Sequence, residues 1–527
     1  MQAANALVRR AFADARVRMC SFAAFFLLYA LAQVVGYKKA FPTLADRQNL
    51  ANSFGNNAGL KLFYGTPHHV ETVGGYTDWR VGGVLALAAA FFGLLAAVRA
   101  FRSEEDSGRF EIVAAGAITR HAAFVARLAA VGLTLAALWL ALLLGLLAGG
   151  LAASGAALMA LGVIAVAAVY TGIGLVAAEL MPSGGAALQL GGALFGLDFL
   201  LRVVADIGDH PSLHWLAPLG WAEEVRAFTG ARPAVLLLPL AACVVLLSVA
   251  FAIERRRDVG AALFAARDSA RPRPRLLRSP TLLALRLQAL GTGTWIAATA
   301  LFAVVLGTLA ESVVSGLTPS LRAQIAKLGG SGLTTAQGVL GFYFLFFVLE
   351  IALFCCSQMA AARGEEAGGR LETLFALPAN RIGWFGGRLA LASVGALLIA
   401  LAAGLGAAIG AAGAGATVSF PALIGAGLNC LPASALFLGA AALLVAVAPR
   451  QGIGLAYGLV ILAFVWYLVG ALLRVPGWLL GVSPFDQIGF VPAVSFRAAP
   501  AAVMVALGFA AGGVALVRFR TRDLLGA

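Results

Sequence analysis

Charged residues are scarce in this sequence: they make up only 12% of its 527 residues, whereas apolar residues make up 61%. A soluble protein of this length needs a polar surface, and this composition cannot supply one. The scarcity therefore excludes a soluble globular protein and predicts a chain that crosses a membrane many times. The net charge of +14 does not indicate nucleic-acid binding, because the basic residues cluster at the ends of apolar runs.

The sequence also lacks the motifs of several catalytic classes. Its five cysteines include no Cys-x-x-Cys pair, which argues against a disulfide framework or a zinc site, and its five histidines form no His-Glu-x-x-His pattern. No Gly-x-x-x-x-Gly-Lys-Ser/Thr loop occurs, so the chain cannot bind ATP through such a loop of its own. We therefore expect no enzymatic activity, metal or cofactor in this chain. If transport is driven by ATP, then ATP and Mg are bound by a separate polypeptide.

Twelve apolar runs are long enough, at about 20 residues, to cross a bilayer as helices. They are residues 20–37, 81–101, 123–148, 155–179, 186–206, 234–254, 295–316, 338–362, 386–412, 420–447, 453–473 and 501–518. Because six crossings return the chain to its starting side, two halves of six spans are parallel repeats. The prediction is an all-α polytopic membrane protein with twelve transmembrane helices in two parallel six-helix repeats. The first half covers residues 1–254, a basic linker 255–275, and the second half 276–527.

Clusters of arginine predict the orientation of these spans. They occur at the N-terminus, in the linker and in the C-terminal tail, where Arg518, Arg520 and Arg522 lie. Basic residues concentrate on the cytoplasmic side of membrane proteins, so we expect both termini in the cytoplasm of a bacterial cell and the spans in its plasma membrane. The longest loop on the opposite side, residues 38–80, is expected to include a short surface helix near Asn49–Phe63.

One charged segment occurs twice in the same register, 261 residues apart, as Arg102–Glu111 and Arg363–Glu372. Each copy lies between two apolar runs and reads Arg-x-Glu-Glu-x-x-Gly-Arg-x-Glu. Dense charge is costly inside a bilayer, so the copies are predicted to be equivalent loops at the water surface. Their glycines leave room for another surface, and exposed Glu and Arg side chains could pair with a docked partner.

A few ionisable residues fall inside predicted spans, where a charge costs about 2.5–3.5 kcal/mol on insertion scales. Glu350 lies among aromatic residues, so it is either a group that contacts cargo or selects cations, or a hydrogen-bonded residue that packs helices. Asp198 and Arg202 are four residues apart and are expected to neutralise each other as a structural pair. The candidate residues of a substrate cavity are Glu350, Phe342, Tyr343, Phe346, Asp198 and Arg202.

These segments carry a resemblance to a known family. Arg102–Arg120 and Arg363–Arg381 resemble the coupling segments of ABC-2 type exporter permeases. With Tyr64–Pro67, Gly74–Arg80 and the segments near Pro218 and Pro484, essentially the whole chain resembles the fused twelve-span permeases called exporters of polyketide antibiotics. The resemblance implies a type V exporter fold and two copies of a separate ABC ATPase subunit. It also implies an amphipathic helix before each bundle, at Ala3–Met19 and Leu276–Leu290.

The resemblance further assigns residues to the contact with the ATPase. One subunit would contact Glu104, Glu105, Gly108, Arg109 and Glu111, and the other would contact Glu365, Glu366, Gly369, Arg370 and Glu372. The two copies differ at Asp106 and Ser107, which become Ala367 and Gly368, so the two contacts need not be equally strong.

The functional prediction is the permease subunit of an ATP-driven ABC exporter that moves amphipathic or hydrophobic compounds, such as drugs or antibiotics, out of the cell. Its expected partners are two ATPase subunits, the lipid bilayer and a small amphipathic substrate, with no nucleic acid. The alternative is a proton-driven secondary drug transporter of major-facilitator type, with Glu350 as proton carrier. The repeated loops lack the Asp-Arg-x-Gly-Arg pattern of that class. A membrane anchor that transmits force for an ATPase is a third class, but such proteins usually have fewer spans and a large extracytoplasmic domain.

Overall fold

The structure is a computed structural model that describes residues 2–54, 58–106, 108, 119–208, 210–256, 279–315, 334–472 and 476–524. Most of these residues lie in helices, and no strand occurs among them. The chain divides into two compact units, Met1–Ala270 and Arg271–Ala527. Each unit is described by itself below.

The first unit is built from eleven α-helices within the described residues. These are α1 (Gln2–Ala40), α2 (Leu44–Phe54), α3 (Ala58–Tyr64), α4 (Val73–Thr77), α5 (Gly83–Val98), α6 (Glu104–Asp106), α7 (Arg120–Ala148), α8 (Ala153–Leu180), α9 (Gly184–Ile207), α10 (Pro218–Glu224) and α11 (Leu237–Glu254). Turns of π-helix at Asp78–Gly82 and Arg99–Ser103 join α4 to α5 and α5 to α6, and 3₁₀ turns lie at Pro211–Leu216 and Pro233–Leu236. The predicted surface helix near Asn49–Phe63 corresponds to α2 and α3.

The second unit contains ten α-helices in its described part. These are α12 (Pro280–Ser315), α13 (Ala336–Ala367), α14 (Arg370–Phe375), α15 (Arg381–Gly413), α16 (Phe420–Leu428), α17 (Leu431–Val447), α18 (Gly452–Leu472), α19 (Gly477–Leu480), α20 (Pro484–Gln487) and α21 (Ala498–Thr521). Glycines allow α12 and α15 to pack closely, because a Cβ at Gly410 would overlap the carbonyl oxygen of Val304 and one at Gly406 that of Ala300. This is the small-residue packing common between membrane helices.

Ten helical segments in the described part of the chain are long and apolar enough to cross a membrane. The predicted spans 186–206 and 453–473 are not among these ten, although both are helical where described. The first corresponds to α9, which carries Asp198, Arg202 and Asp206, and the apolar part of the second is the shorter stretch Gly452–Tyr467. Within the described ranges, the protein is therefore all-helical and has ten candidate membrane helices.

The amphipathic segments expected before each bundle do not form separate helices. Ala3–Met19 is continuous with the first predicted span in α1, and the described part of Leu276–Leu290 is continuous with the seventh in α12. No proline follows Gln2 in α1 or Pro280 in α12, so nothing in either sequence forces a break. Each predicted segment is thus helical where the structure describes it and runs on into the following span.

Candidate functional site

The repeated charged segment adopts the same backbone turn in both units. Gly108 has φ of +69° and its N–H donates to the carbonyl oxygen of Glu105 at 2.9 Å. Gly369 has φ of +70° and donates in the same way to Glu366 at 3.0 Å. Left-handed backbone strongly favours glycine. The glycine of the motif therefore has a conformational role in each copy.

The first arginine of each copy fastens this turn to a neighbouring turn of its unit. Arg102 Nη1 lies 3.4 Å from Glu105 Oε2, and its Nη2 donates to the carbonyl oxygen of Pro182 at 2.7 Å. Arg363 Nη1 lies 3.5 Å from Glu366 Oε2, and its Nε donates to the carbonyl oxygen of Pro449 at 2.8 Å. Pro182 lies between α8 and α9, as Pro449 lies between α17 and α18. Each loop is thus held by an arginine to a later connection of its own unit, α8–α9 in the first and α17–α18 in the second.

Two of the glutamates expected to face a partner are instead buried within their own units. The side chain of Glu105 is 6% exposed and that of Glu366 is 2% exposed. Glu366 also accepts hydrogen bonds from Arg522 Nη1 at 2.5 Å and Nη2 at 2.7 Å. The expectation of exposure is wrong for both, because intramolecular arginines already bind their carboxylates. Their role in the structure is to hold the turn.

The remaining residues of the second copy differ in exposure. Glu365 pairs with Arg388. Arg370 and Glu372 lie on the short helix α14 with exposed side chains, and Leu377, just beyond it, is 63% exposed. This surface, formed by Arg370, Glu372 and Leu377, is called the α14 surface below, and it can be reached by a partner.

In the first copy, Arg109 and Glu111 lie outside the described residues, as does the side chain of Glu104. Asp106 Oδ1 lies 3.1 Å from Arg102 Nε, and its Oδ2 accepts a hydrogen bond from the N–H of Gly184 at 2.7 Å. The second copy has Ala367 at the equivalent position, which cannot make these bonds. There the C-terminal Arg522 provides an additional tie.

The helix that follows each copy begins in an equivalent way. Thr119 caps α7 by accepting from the N–H of Ala122, and Asn380 caps α15 by accepting from the N–H of Ile382. The first residue of each helix reaches the end of the last helix of its unit: Arg120 lies 3.7 Å from Glu254, and Arg381 donates to the carbonyl oxygen of Arg522 at 2.8 Å. The recurrence of Arg120 and Arg381 in the sequence thus corresponds to a recurring contact.

Glu350 lies in an apolar groove of the second unit. Its Oε1 accepts a hydrogen bond from the hydroxyl of Thr299 on α12. The groove has a volume of about 370 Å³ and is lined by Trp295, Ala298, Phe302, Phe346, Leu349, Glu350 and Leu353. Such a groove, with one carboxyl group among aromatic and aliphatic side chains, suits an amphipathic ligand.

The aromatic candidates divide between this groove and the packing behind it. Phe346 lines the groove, whereas Phe342 packs edge-on against Phe346 and Phe490, and Tyr343 is buried. Trp295, Thr299 and Phe302 of α12 also surround Glu350 but were not predicted from the sequence. No local pattern marks them, because they are brought to Glu350 by the packing of helices about 50 residues apart in sequence.

Asp198 and Arg202 are both buried in the first unit, but they do not form the predicted pair. Asp198 accepts hydrogen bonds from the hydroxyl of Tyr170 at 2.7 Å and from the N–H of Leu219 at 3.2 Å. Arg202 instead pairs with Asp206, one turn further along α9, at 3.4 Å, and with Glu223 on α10. The predicted pair is therefore wrong, because Arg202 has a carboxylate four residues away on each side and faces the later one.

Arg202 belongs to a buried network of charges at the end of α9. Asp206 Oδ1 accepts hydrogen bonds from the backbone N–H and the hydroxyl of Thr66, at 3.0 and 2.7 Å. His214 Nε2 lies 3.2 Å from the same oxygen, and His214 Nδ1 lies 3.4 Å from Glu224 Oε1. The network joins α9, the 207–233 segment and the 38–80 loop.

The network shifts the pKa of its members in the 207–233 segment. Burial alone would lower the pKa of His214, but hydrogen bonds with Asp206 and Glu224 outweigh it and raise that pKa to about 10. The hydrogen bond from His214 lowers the pKa of Glu224 to about 2. Burial raises the pKa of Glu223. His214 is therefore an imidazolium held between two carboxylates at neutral pH.

Asp206, His214 and Glu223 place three possible ligand atoms within 4.8 Å of one another. This donor set could hold a divalent cation by its chemistry. However, Arg202 contacts both carboxylates of the set and supplies positive charge there. We therefore interpret the three residues as part of an ion-pair network.

Comparison with known proteins places these features in a family. Residues 277–520 match the family described as "Multidrug efflux system permease Rv1217c, C-terminal domain". The chain is also 30% identical over 503 residues to the multidrug efflux system permease protein Rv1217c of Mycobacterium tuberculosis, an alignment that covers 94% of this chain and 90% of that protein. The chain belongs to the Rv1217c family of multidrug efflux permeases.

Proposed function

We propose that this protein is the transmembrane permease subunit of an ATP-driven exporter of amphipathic or hydrophobic compounds. In this proposal, two copies of a separate ABC ATPase bind ATP and Mg, and the permease itself hydrolyses nothing. The family relationship to a multidrug efflux permease supports drug export. The lack of a phosphate-binding loop in the sequence is consistent with a motor on another polypeptide.

The duplicated turn is the observation that carries the ATPase coupling. In each unit, an arginine joins the turn to another helical connection, through Arg102 to Pro182 between α8 and α9 and through Arg363 to Pro449 between α17 and α18. A force on either charged loop therefore acts on that loop and, through its arginine, on the connection that contains Pro182 or Pro449. Two separate motors acting on the two loops would move both units in the same way.

We further propose twelve spans in a type V exporter arrangement, in the plasma membrane of a bacterium with both termini in the cytoplasm. The additional spans are α9 and α18, which are helical over most or all of the lengths predicted for them. In this arrangement both repeated turns face the cytoplasm, where the ATPases are. The α14 surface is then the docking site in the second unit.

The groove around Glu350 is the proposed contact for cargo. A carboxyl group beside Trp295, Phe302 and Phe346 can attract a cationic group while the aromatic side chains contact an apolar body. Neutral amphipathic compounds would use only the contacts with the aromatic side chains. The groove therefore favours cationic amphipathic cargo over anionic cargo.

The ATPase coupling is tested by purifying the tagged chain at native expression and assaying what comes with it. We expect a soluble ATPase at two copies per permease, and loss of one of these copies when the α14 surface is reversed in charge by Arg370→Glu with Glu372→Lys. The exposed Lys39 gives a matched control, since Lys39→Glu reverses a charge far from the repeated turns in sequence. Equal ATPase recovery with the double variant and with wild type would overturn the assignment of the α14 surface. Purification of the chain without any ATPase would overturn the coupling itself.

A further inference from the structure

The tenth predicted span is interrupted in the second unit. Residues 420–447 form two helices, α16 and α17, which are separated at Asn429 and Cys430. Pro432 has no N–H, so the carbonyl group of Leu428 receives no helical hydrogen bond from the residue four positions later. In the first unit, the fourth predicted span is the uninterrupted helix α8. The break is therefore specific to the second unit.

A cavity of about 620 Å³ opens beside this break. It lies between α13, α15, α16, α17 and α21, and its walls are mainly apolar, with Leu397, Leu438, Val505 and Phe509 among them. Among the described residues, no charged side chain lines it. Small-molecule sites typically have volumes of about 300–1,000 Å³ and mostly apolar walls with a few polar groups. This cavity has both properties.

Asn429 is a polar group held at the wall of the cavity. Its Nδ2 donates to the carbonyl oxygen of Gly489 at 3.0 Å, which fixes the amide. Its Oδ1 accepts no hydrogen bond from the described residues, although the residue is only 8% exposed. The neighbouring hydroxyl of Ser434 is already committed to the carbonyl oxygen of Cys430 at 2.8 Å. Because Asn429 lines the cavity and no described residue donates to its Oδ1, a bound molecule can donate a hydrogen bond to this atom.

We propose that this cavity binds an uncharged, mainly apolar small molecule that donates a hydrogen bond to Asn429 Oδ1. The absence of charged lining residues in the described structure excludes recognition of a phosphate headgroup, or of an ionic compound by its charge. The site differs from the Glu350 groove, which is formed by α12 and α13 and contains a carboxyl group. It therefore gives the second unit a binding site for neutral compounds, and this inference does not depend on the coupled ATPase.

The test uses the purified full chain and N-phenyl-1-naphthylamine, an uncharged apolar fluorophore with one N–H donor. Gly425 lines the cavity and no heavy atom lies within 4 Å of its added Cβ, so Gly425→Phe projects a ring into the space without a backbone clash. Gly513 on α21 also has open space around its added Cβ and does not line the cavity, which makes Gly513→Phe the matched control. We expect at least about tenfold weaker binding for Gly425→Phe and unchanged binding for Gly513→Phe.

The donor is tested with 1-benzylnaphthalene, in which a CH2 group replaces the bridging N–H and the shape is similar. Loss of one hydrogen bond predicts about three- to tenfold weaker binding, measured by competition with the fluorophore. Equal competition by the two compounds would overturn the role of Asn429. Equal binding of the fluorophore to wild type and Gly425→Phe, or equal loss in both glycine variants, would overturn the site.

Two further measurements address a variant that does not fold and a cavity that is filled by lipid. If Gly425→Phe does not fold, as judged by size-exclusion chromatography, Ser393→Phe replaces it, since Ser393 is an exposed residue of the cavity wall. The titration is also repeated in phospholipid nanodiscs, where we expect the binding to persist. Binding that occurs in detergent and disappears in nanodiscs would mean that acyl chains fill the cavity, and would overturn the proposal.

Discussion

Glu366 and Arg522 form a two-pronged ion pair that joins the second charged turn to the C-terminal end of α21. Both oxygens of Glu366 accept from Arg522, at 2.5 and 2.7 Å, and the carboxylate side chain is 2% exposed. The sequence separation is 156 residues. Glu366, which the resemblance assigns to a contact with the ATPase, thus forms an ion pair inside its own unit. This changes which substitutions test docking and which test folding.

Glu366→Gln is predicted to destabilise the protein. It removes the charge that compensates Arg522 and Arg363, and loss of one partner of a buried pair costs about 3–5 kcal/mol. The measurement is thermal unfolding of the purified protein in detergent. Glu372→Gln is the control, because this exposed glutamate is expected to contribute less than about 1 kcal/mol. Equal melting temperatures of the two variants would contradict the fastening role of Glu366.

Gly369→Ala and Gly364→Ala are predicted to have opposite effects, although they lie only five residues apart. No heavy atom would contact an added Cβ at either position, so only the backbone conformation distinguishes them. At Gly369, φ of +70° would strain alanine by about 1–2 kcal/mol. At Gly364, inside α13, alanine should stabilise the helix by up to about 1 kcal/mol. The comparison is by melting temperature, and a gain at Gly369 would refute the left-handed turn.

The charge network at His214 predicts a loss of stability as pH rises. The folded-state pKa of His214 is raised from 6.5 to about 10, so its contribution is fully present below about pH 6.5 and is lost as pH rises through 10. His214→Gln should therefore show a flatter decline between pH 7 and pH 10 than wild type. His121→Gln is the control, because His121 lies on α7 and packs against Phe251. Parallel stability curves for wild type and His214→Gln would contradict the assignment.

Glu350→Gln is predicted to change cargo preference without affecting assembly. The amide keeps the shape of the side chain and removes its ability to become negative, so export of cationic amphipathic compounds should fall by about tenfold. Export of neutral compounds should remain. Thr299→Val is the matched variant, because it removes the hydroxyl that donates to Glu350 and leaves the carboxyl group. Resistance profiles that are unchanged for every exported compound would make Glu350 a residue of helix packing.

The sequence predicted the position of the two turns but not the burial of their side chains. The shared register of Arg102 and Arg363 was visible because repeats are a local pattern. Arg522, by contrast, could not be linked to Glu366, since the contact depends on how α21 packs. Equally, Arg202 has acidic residues four positions away on each side, and only tertiary packing decides between Asp198 and Asp206.

The sequence pattern also did not predict where a helix continues and where it breaks. The change from basic to apolar residues in α1 marks a change of environment within one helix. A helix can pass through such a change when no residue interrupts its hydrogen bonds. At Asn429 the reverse holds: Pro432 inside the apolar run was the available signal for a break, but the run was interpreted as one span.

Export by this permease is predicted to be powered by ATP on a separate subunit. The most direct measurement is uptake of a fluorescent cationic drug by inside-out membrane vesicles from cells that express this chain with its ATPase. We predict that uptake requires ATP, stops with orthovanadate and continues when a protonophore collapses the proton gradient. Uptake that continues without ATP and stops with the protonophore would contradict the account and identify a proton-driven transporter.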